Sequence, residues 1–225
     1  MLKKLLSLRF FIFVTTITAG TIILLIVLVE VTVERNIREI IDKNPEIILD
    51  ALESLQHREQ ERLRESQLSV LTELGQSIRF DPNVPVGGNA NGDVTIVEFY
   101  DYKCHYCKKF NPHLDEILNT DPNIRLVYRE LPILGPDSTI AARLSLAVAE
   151  LYPNQFEIFH SALMSTRGTL DEQTVLQVAR EIGFDADLLQ IEMVNPRIDR
   201  AIQNNRKIAQ ALGINGTPGF LIGDV

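Results

Sequence analysis

One apolar run dominates the start of the chain. Residues 10–29 carry no charged side chain and consist mainly of Ile, Leu, Val and Phe. An α-helix of this length spans about 30 Å, which matches the hydrocarbon thickness of a bilayer. The pattern therefore predicts a transmembrane anchor over residues 10–29, preceded by a short stub over residues 1–9.

Two other interpretations of this run stay open. A cleaved signal peptide usually has a shorter apolar stretch that ends in small residues, whereas this one ends in Val29-Glu30. A buried helix of a soluble domain would also be apolar on every side. Residues 1–9 hold basic but no acidic side chains, so the positive-inside tendency predicts a cytoplasmic N-terminus and a body across the membrane.

Helical periodicity continues beyond the apolar run. Asn-Pro-Glu at residues 44–46 is typical of a helix start. Leucine and isoleucine then recur at helical spacing over residues 44–78, apart from a polar interruption at residues 56–62. We expect residues 30–80 to form an amphipathic helical stalk. A solvated spacer and an oligomerisation segment both fit, because the stripe is not a clean heptad.

Strand and helix patterns alternate in the rest of the chain. Proline and glycine cluster at residues 81–92 and predict a linker. Val94–Tyr100 is β-branched and aromatic, which predicts a buried strand, and residues 124–130 predict another. Helices are predicted at residues 138–150, 154–164, 171–182, 185–193 and 196–212. This alternation predicts an α/β domain over residues 93–225.

Composition narrows the class of protein. Hydrophobic residues make up 45% of the chain and charged residues 23%, which is typical of a globular protein. The formal net charge is -8, whereas a nucleic-acid partner would need clustered Lys and Arg. The chain has only two cysteines, which excludes a scaffold held by several disulfides.

Both cysteines lie in the segment Cys104-His105-Tyr106-Cys107, which follows a predicted strand and opens a helix that should end or kink at Pro112. The free N–H groups and dipole of a helix N-terminus favour a thiolate. We expect Cys104 to be the first, exposed sulfur and Cys107 to lie one turn later, behind it. Such a pair suits thiol–disulfide exchange, in which one sulfur attacks and the other resolves the mixed disulfide.

Other roles for the cysteine pair are less favoured. A structural disulfide across so few residues would be strained and would gain little from loop closure. His105 and His113 are near in sequence, but the spacing matches no zinc pattern. Copper(I) prefers sulfur, so a redox-sensitive copper-binding protein is the alternative from another class. We expect no cofactor beyond a Cys104–Cys107 disulfide and no metal ion.

Two further positions allow two interpretations each. Glu98 lies in the predicted buried strand and either accepts the proton of Cys107 or turns outward to solvent. Thr217-Pro218 precedes an apolar run, so it predicts a turn into a strand, with either a cis or a trans bond.

Three segments together resemble the DsbA family of thiol–disulfide oxidoreductases, within the thioredoxin-like superfamily. They are Phe99–Phe110 with its two cysteines, Arg129–Pro136, and Gly216–Pro218. The match covers roughly residues 88–225 and is similar to the membrane-anchored, ScsC-like or Com1-like branch. It implies a thioredoxin fold with an inserted helical domain at about residues 137–212, preceded by a transmembrane helix and an amphipathic stalk.

The resemblance also implies roles for single residues. It makes Glu98 the buried proton acceptor and Pro218 a cis-proline that faces the redox pair. Thr217 would then offer backbone groups to an extended substrate segment. The implied catalytic residues are Cys104, Cys107, Glu98 and His105, and the implied substrate-binding residues are Tyr106, Thr217 and Pro218.

The sequence departs from the family pattern in three ways. His105 is adjacent to the first cysteine rather than the second, so the redox potential cannot be transferred. Thr217 before the proline also occurs in disulfide isomerases. The family continues beyond Val225 with another strand and a closing helix, so we expect a truncated chain.

We therefore expect an exported thiol–disulfide oxidoreductase of a bacterial envelope, anchored by one span in the inner membrane. Its partners would be cysteine-containing envelope proteins and a membrane or periplasmic redox protein. An oligomeric isomerase or reductase, assembled through residues 44–78, is the alternative. Nucleic acid is not expected as a partner.

Overall fold

The structure, a computed structural model, describes residues 25–223. The predicted stub at residues 1–9 and most of the predicted anchor at residues 10–29 lie outside this range. Among the residues described, no helix is long and apolar enough to cross a membrane. Within the described range the chain divides into two compact units, with the boundary between Glu61 and Arg62.

Two helices occupy the predicted stalk. Residues 25–43 belong to the first, α1. The second, α2, runs over Glu46–Arg79 and confirms the predicted helix at residues 44–78. Its leucine and isoleucine side chains before Glu61 are exposed, with Leu49 at 67%.

A four-stranded sheet forms the centre of the second unit. Its strands are β1 (Val86–Gly88), β2 (Val94–Tyr100), β3 (Ile124–Glu130) and β4 (Gly219–Gly223), in the spatial order β1-β3-β2-β4. The central strands β2 and β3 are parallel, and the two outer strands pair antiparallel with them. The two predicted central strands have the bounds that the sequence pattern indicates, and β4 follows the turn predicted at Thr217-Pro218.

Strand β1 lies in the segment predicted as a linker. It is only three residues long and contains two glycines, so it carries almost no periodic signal. Gly88 has φ +65°, and a Cβ at this position would lie 2.7 Å from the Ile124 carbonyl oxygen. Glycine thus permits close pairing of β1 with β3, although the same residue type indicated a loop.

Helices connect and flank the strands. They are α3 (His105–Thr120), α4 (Pro136–Leu151), α5 (Phe156–Ser165), α6 (Glu172–Ile182), α7 (Ala186–Glu192) and α8 (Pro196–Ala211), with a short 3-10 turn at Pro153–Gln155. The five from α4 to α8 form the predicted insertion between β3 and β4. Side chains of Asp171, Asp185 and Asn195 cap three of them by accepting hydrogen bonds from backbone N–H groups.

The helix after the cysteines is longer than predicted. Helix α3 continues through Pro112 to Thr120 instead of ending at the proline. Pro112 cannot donate to the carbonyl one turn earlier, but Asn111 and Leu114 on either side of it are buried. Packing of these neighbours outweighs the missing hydrogen bond.

The two faces of the sheet have separate cores. Ile96 and Tyr100 of β2 pack with Leu126 and Tyr128 of β3 against the helical insertion. The side chains on the opposite face cluster with residues near the ends of α2 and α8. This second cluster comprises Val97, Phe99, Val127, Leu131, Ile78, Ile208, Ala209 and Leu212. The last turns of α2 therefore belong to the core of the second unit.

A buried arginine fixes the end of α2 to β3. The Arg129 side chain is fully buried, and its Nε and Nη2 donate to the Ile78 carbonyl at 3.1 and 2.7 Å. Nη2 also donates to the Ser77 carbonyl at 3.1 Å, and Nη1 donates to Asn205 Oδ1 at 2.8 Å. These bonds satisfy helix-end carbonyls that have no partner within the helix. Residues 62–79, predicted as stalk, are thus part of the second unit.

Candidate redox site

The cysteine pair lies where β2 leads into α3. Cys104 is the N-cap of α3, and its Sγ accepts a hydrogen bond from the Cys107 backbone N–H at 3.4 Å. Both residues are free thiols. Cys107 is fully buried, and burial raises the pKa of its thiol well above the ordinary range. The buried sulfur is therefore disfavoured as a thiolate, so it must lose its proton to a base before it can attack a mixed disulfide.

The other side of the pair is formed by Thr217 and Pro218. Their peptide bond is cis, one of the two forms that the sequence left open. The Cys104 thiol donates to the Thr217 carbonyl oxygen, with Sγ and O 3.1 Å apart. The expectation of an exposed Cys104 is wrong, since only 5% of the residue is accessible. The turn before β4 covers the sulfur, and no local pattern indicates that two segments so far apart in sequence meet here.

Asp101 positions the start of the motif, and sequence reasoning missed it. Its backbone carbonyl accepts from Cys104 N at 2.9 Å. Its side chain is buried and accepts from Lys103 N at 2.8 Å, Ile133 N at 2.8 Å and Leu134 N at 3.0 Å. One carboxylate therefore joins the cysteine loop to the loop after β3. An Asp directly after a strand is a common turn former, and this was the available signal.

Glu98 faces the protein interior. It is 1% exposed, so the interpretation that turned it outward to solvent is wrong. Burial raises the pKa of its carboxyl to about 8, and the nearby Asp115 charge adds to the increase. Glu98 is thus held in its protonated form near neutral pH. Its role toward Cys107 stays a prediction.

A buried polar network lies on the same side of the sheet. The Tyr102 hydroxyl is 2.7 Å from Ser145 Oγ and 3.0 Å from His160 Nδ1. His160 Nε2 is 3.0 Å from Asn111 Oδ1, and Asn111 Nδ2 donates to Asp115 Oδ2 at 3.1 Å. Asn111 lies one helical turn after Cys107 on α3, so this network reaches the same face of that helix.

Burial keeps His160 and Glu130 neutral in this region. It lowers the pKa of His160 to about 3, so the imidazole is uncharged at neutral pH. It also raises the pKa of Glu130 well above its ordinary range, and Tyr100 donates to Glu130 Oε1 at 2.6 Å. The sequence did not assign roles to these residues, because single tyrosines and histidines on apolar elements resemble ordinary core positions.

The remaining predicted residues lie at the surface beside the cysteines. Tyr106 is 70% exposed, and its ring is 5.8 Å from that of His105, which is also exposed. Tyr106 shares a groove of about 570 Å³ with the cis-proline turn. The groove is lined by Tyr106, Lys109, Phe110, His113, Thr217, Pro218 and Phe220. The structure thus brings the three predicted substrate-binding residues together.

Metal ligands do not cluster around the cysteines in the described part of the chain. Within residues 25–223, no group of three or more His, Cys, Asp or Glu side chains is placed to hold a metal ion. The copper-binding alternative would have to rely on the two sulfurs themselves.

A dithiol at a helix start, opposite a cis-proline and beside a central parallel strand pair, defines a thioredoxin-like redox domain. The DSBA-like thioredoxin domain matches residues 95–225, and the chain belongs to this family. A thioredoxin-like oxidoreductase from Silicibacter pomeroyi is 46% identical, with a TM-score of 0.63, over 67% of this chain and 86% of that one. The thiol-disulfide exchange protein α-DsbA2 from Wolbachia pipientis is 32% identical, with a TM-score of 0.67, over 73% and 88%.

One curated relative is much longer than the matched segment. The Na(+)/H(+) antiporter NhaA 1 of Salinispora arenicola is 29% identical over 139 residues, which are 61% of this chain. The chain spans about a fifth of that relative, since the match covers 21% of the antiporter. The family and its solved members support the predicted enzyme class, a thiol–disulfide oxidoreductase.

Proposed function

We propose that this protein exchanges disulfides with cysteine-containing client proteins through Cys104 and Cys107. The observation that carries the proposal is the position of Cys104 Sγ, between the Cys107 N–H at 3.4 Å and the Thr217 carbonyl at 3.1 Å. This sulfur lies at a helix N-terminus, where a thiolate is stabilised, and next to backbone that an extended client segment can pair with.

In the oxidising direction, a client thiolate attacks Cys104 Sγ of the Cys104–Cys107 disulfide. The new bond joins client and Cys104, and Cys107 leaves as a thiolate that takes up a proton. Its high pKa makes this uptake favourable, and Glu98 is the proposed proton carrier. A second client thiolate then attacks the client sulfur of the mixed disulfide, and Cys104 leaves. Two electrons pass from the client to the enzyme.

Single-cysteine variants test the proposal. With a client peptide supplied as its mixed disulfide with a small aromatic thiol, Cys107→Ser should accumulate a stable peptide adduct on Cys104. The matched Cys104→Ser variant should form none, because Cys107 is completely inaccessible and burial raises the pKa of its thiol. Intact mass spectrometry reads both results. Wild-type exchange rates in Cys104→Ser would contradict the proposal, and tight copper(I) binding together with such rates would favour the copper alternative.

The direction of exchange is a separate part of the proposal. Thr217 before the cis-proline fits an isomerase as well as an oxidase. A measured Cys104–Cys107 potential of about -120 mV would support an oxidase, and one of about -270 mV a reductase. An isomerase would gain from several active sites around one client, and the exposed leucines of α2 support oligomerisation through residues 44–78.

Polar substitutions test this oligomer without disturbing the second unit. Leu49, Leu52 and Leu55 are exposed and precede Arg62, so their replacement by Ser leaves the second unit intact. We expect a smaller particle in sedimentation analysis and slower repair of a scrambled disulfide protein, with peptide oxidation retained. An unchanged particle mass would contradict assembly through this segment.

We also propose that the catalytic domain is exported across the bacterial inner membrane and acts on envelope proteins, with a membrane or periplasmic redox partner. The apolar run at residues 10–29 and the basic residues before it support this location. Labelling of a single-cysteine variant with a membrane-impermeant maleimide in intact spheroplasts should modify the domain. Labelling only after lysis would contradict it.

A further inference from the structure

We propose that the groove beside Cys104 selects client segments that carry a carboxylate two or three residues from the reacting cysteine, next to an apolar side chain. This inference rests on the proposed disulfide exchange and adds a preference among its clients. The groove wall on α3 is formed by Tyr106, Lys109, Phe110 and His113. These positions recur at helical spacing, so one face of α3 presents aromatic and basic side chains together.

The floor of the groove is apolar. The Phe110 and Phe220 rings lie 5.1 Å apart, and Pro218 completes the surface opposite α3. Tyr106 stands at the cysteine end and is largely exposed. Aromatic rings of this kind offer a large contact area for an apolar client side chain.

Positive charge at the groove is not neutralised by the residues that the structure describes. Lys109 is exposed and makes no ion pair with any of them. Its neighbours differ, because Lys103 pairs with Asp137 at 3.0 Å and Lys108 donates to the Thr166 carbonyl. Among the described residues, none that lines the groove is acidic. In a chain with a formal charge of -8, this ammonium is a local site for a client carboxylate.

Helix geometry sets the distance from the cysteine. Lys109 follows Cys104 by five positions on α3, which corresponds to about 7.5 Å along the helix axis. An extended segment that pairs at Thr217 advances about 3.4 Å per residue, so the same distance is reached after roughly two residues. Lysine side-chain flexibility extends the range to three. A carboxylate at this spacing meets the ammonium while the client cysteine faces Cys104.

A peptide series tests the preference. Three reduced peptides would share one sequence with a single Leu beside the reacting cysteine, and would carry Asp, Asn or Lys two residues from it. With the oxidised full chain as the only oxidant, in a single turnover and in excess over peptide, we expect the second-order rate constant for mixed-disulfide formation with the Asp peptide to exceed that with Asn about threefold and that with Lys about tenfold at low salt. At about 0.5 M salt the differences should shrink, because exposed charges are screened.

Reversing the charge of Lys109 tests whether this residue causes the preference for the Asp peptide. Lys109→Glu should invert the order so that the Lys peptide reacts fastest, which loss of folding cannot imitate. Lys207→Glu is the matched control, because Lys207 is exposed on α8 and does not line this groove. It should keep the wild-type order. An equal inversion by both variants would assign the preference to overall charge and overturn the inference.

The remaining outcomes separate the two proposals. Equal rates for all three peptides with the wild-type protein would overturn the carboxylate preference and leave disulfide exchange intact. Failure to oxidise any of the peptides, with the Cys104–Cys107 disulfide verified by mass, would overturn both.

Discussion

Substitution of Glu98 by Gln should stabilise the protein at alkaline pH and flatten its pH dependence. In the folded chain, burial raises the pKa of this carboxyl from its ordinary 4.5 to about 8. A glutamine side chain at this position would keep the shape of the neutral carboxyl and cannot ionise. The variant therefore isolates the free energy required to hold a buried carboxylate without a cationic partner.

The sign follows from proton linkage. A carboxyl with a raised folded pKa binds its proton more tightly in the native chain, so its stabilising effect is complete below pH 4.5. The effect is lost as pH rises through about 8. At about 1.4 kcal/mol for each tenfold change in proton affinity, the increase from 4.5 to about 8 corresponds to roughly 5 kcal/mol.

Urea unfolding of both chains, reduced, between about pH 4 and about pH 9 measures this quantity. The free energy of unfolding of the wild type, minus that of Glu98→Gln, should fall by roughly 5 kcal/mol across this range. Glu130 and other carboxyls contribute to both chains and largely cancel. Asp115→Asn is the control, because removing its charge should move the transition of Glu98 to lower pH. A difference that stays constant within about 1 kcal/mol would refute the assignment of a buried, ionisable Glu98.

Two further predictions concern residues that hold the site in place. Arg129→Met should lower the free energy of unfolding by about 3–5 kcal/mol, since it leaves the Ile78 and Ser77 carbonyls and Asn205 Oδ1 without their buried donor, at about 1–3 kcal/mol each. Arg180→Met on the exposed face of α6 should change it little, and equal effects in urea unfolding would contradict the anchoring of α2. Asp101→Ala should speed hydrogen exchange of the Ile133 and Leu134 amides at least about tenfold, because their acceptor is lost. Unchanged exchange would show that the loop after β3 keeps its conformation without Asp101.

Local patterns account for the parts of the fold that the sequence predicted well. Strands β2 and β3 are predictable runs of strand-forming residues, because parallel central strands are buried on both faces. The starts of α6, α7 and α8 carry capping side chains that are recognisable in the sequence. Strand β1 and the extension of α3 beyond Pro112 escaped prediction, because pairing and packing with distant residues decide both.

The candidate site also contains residues that the sequence predicted and contacts that it did not. Cys104 and Cys107 are recognisable from their spacing alone, and the resemblance added the cis-proline and the role of Glu98. The partners of these groups come from elsewhere in the chain: Thr217 covers Cys104, and His160 meets Asn111. The resemblance already placed Pro218 opposite the cysteines with Thr217 beside it, but no local pattern indicates how closely this turn packs on Cys104 or that His160 meets Asn111. The burial of Cys104 was missed for this reason.

Two polar side chains of β3 oppose a shift of this strand's register. Arg129 faces the carbonyls at the end of α2, while the next residue, Glu130, faces Tyr100 on the opposite side of the sheet. Because side chains alternate along a strand, a slip of one residue would bring a guanidinium among the buried tyrosines and a carboxyl against helix carbonyls. Each exchange would leave a buried group without its partner, at a cost of several kcal/mol. The hydrogen-bond partners of Arg129 and Glu130, as well as hydrophobic packing, therefore select the correct pairing of β2 with β3, and with it the alignment of the cysteine loop.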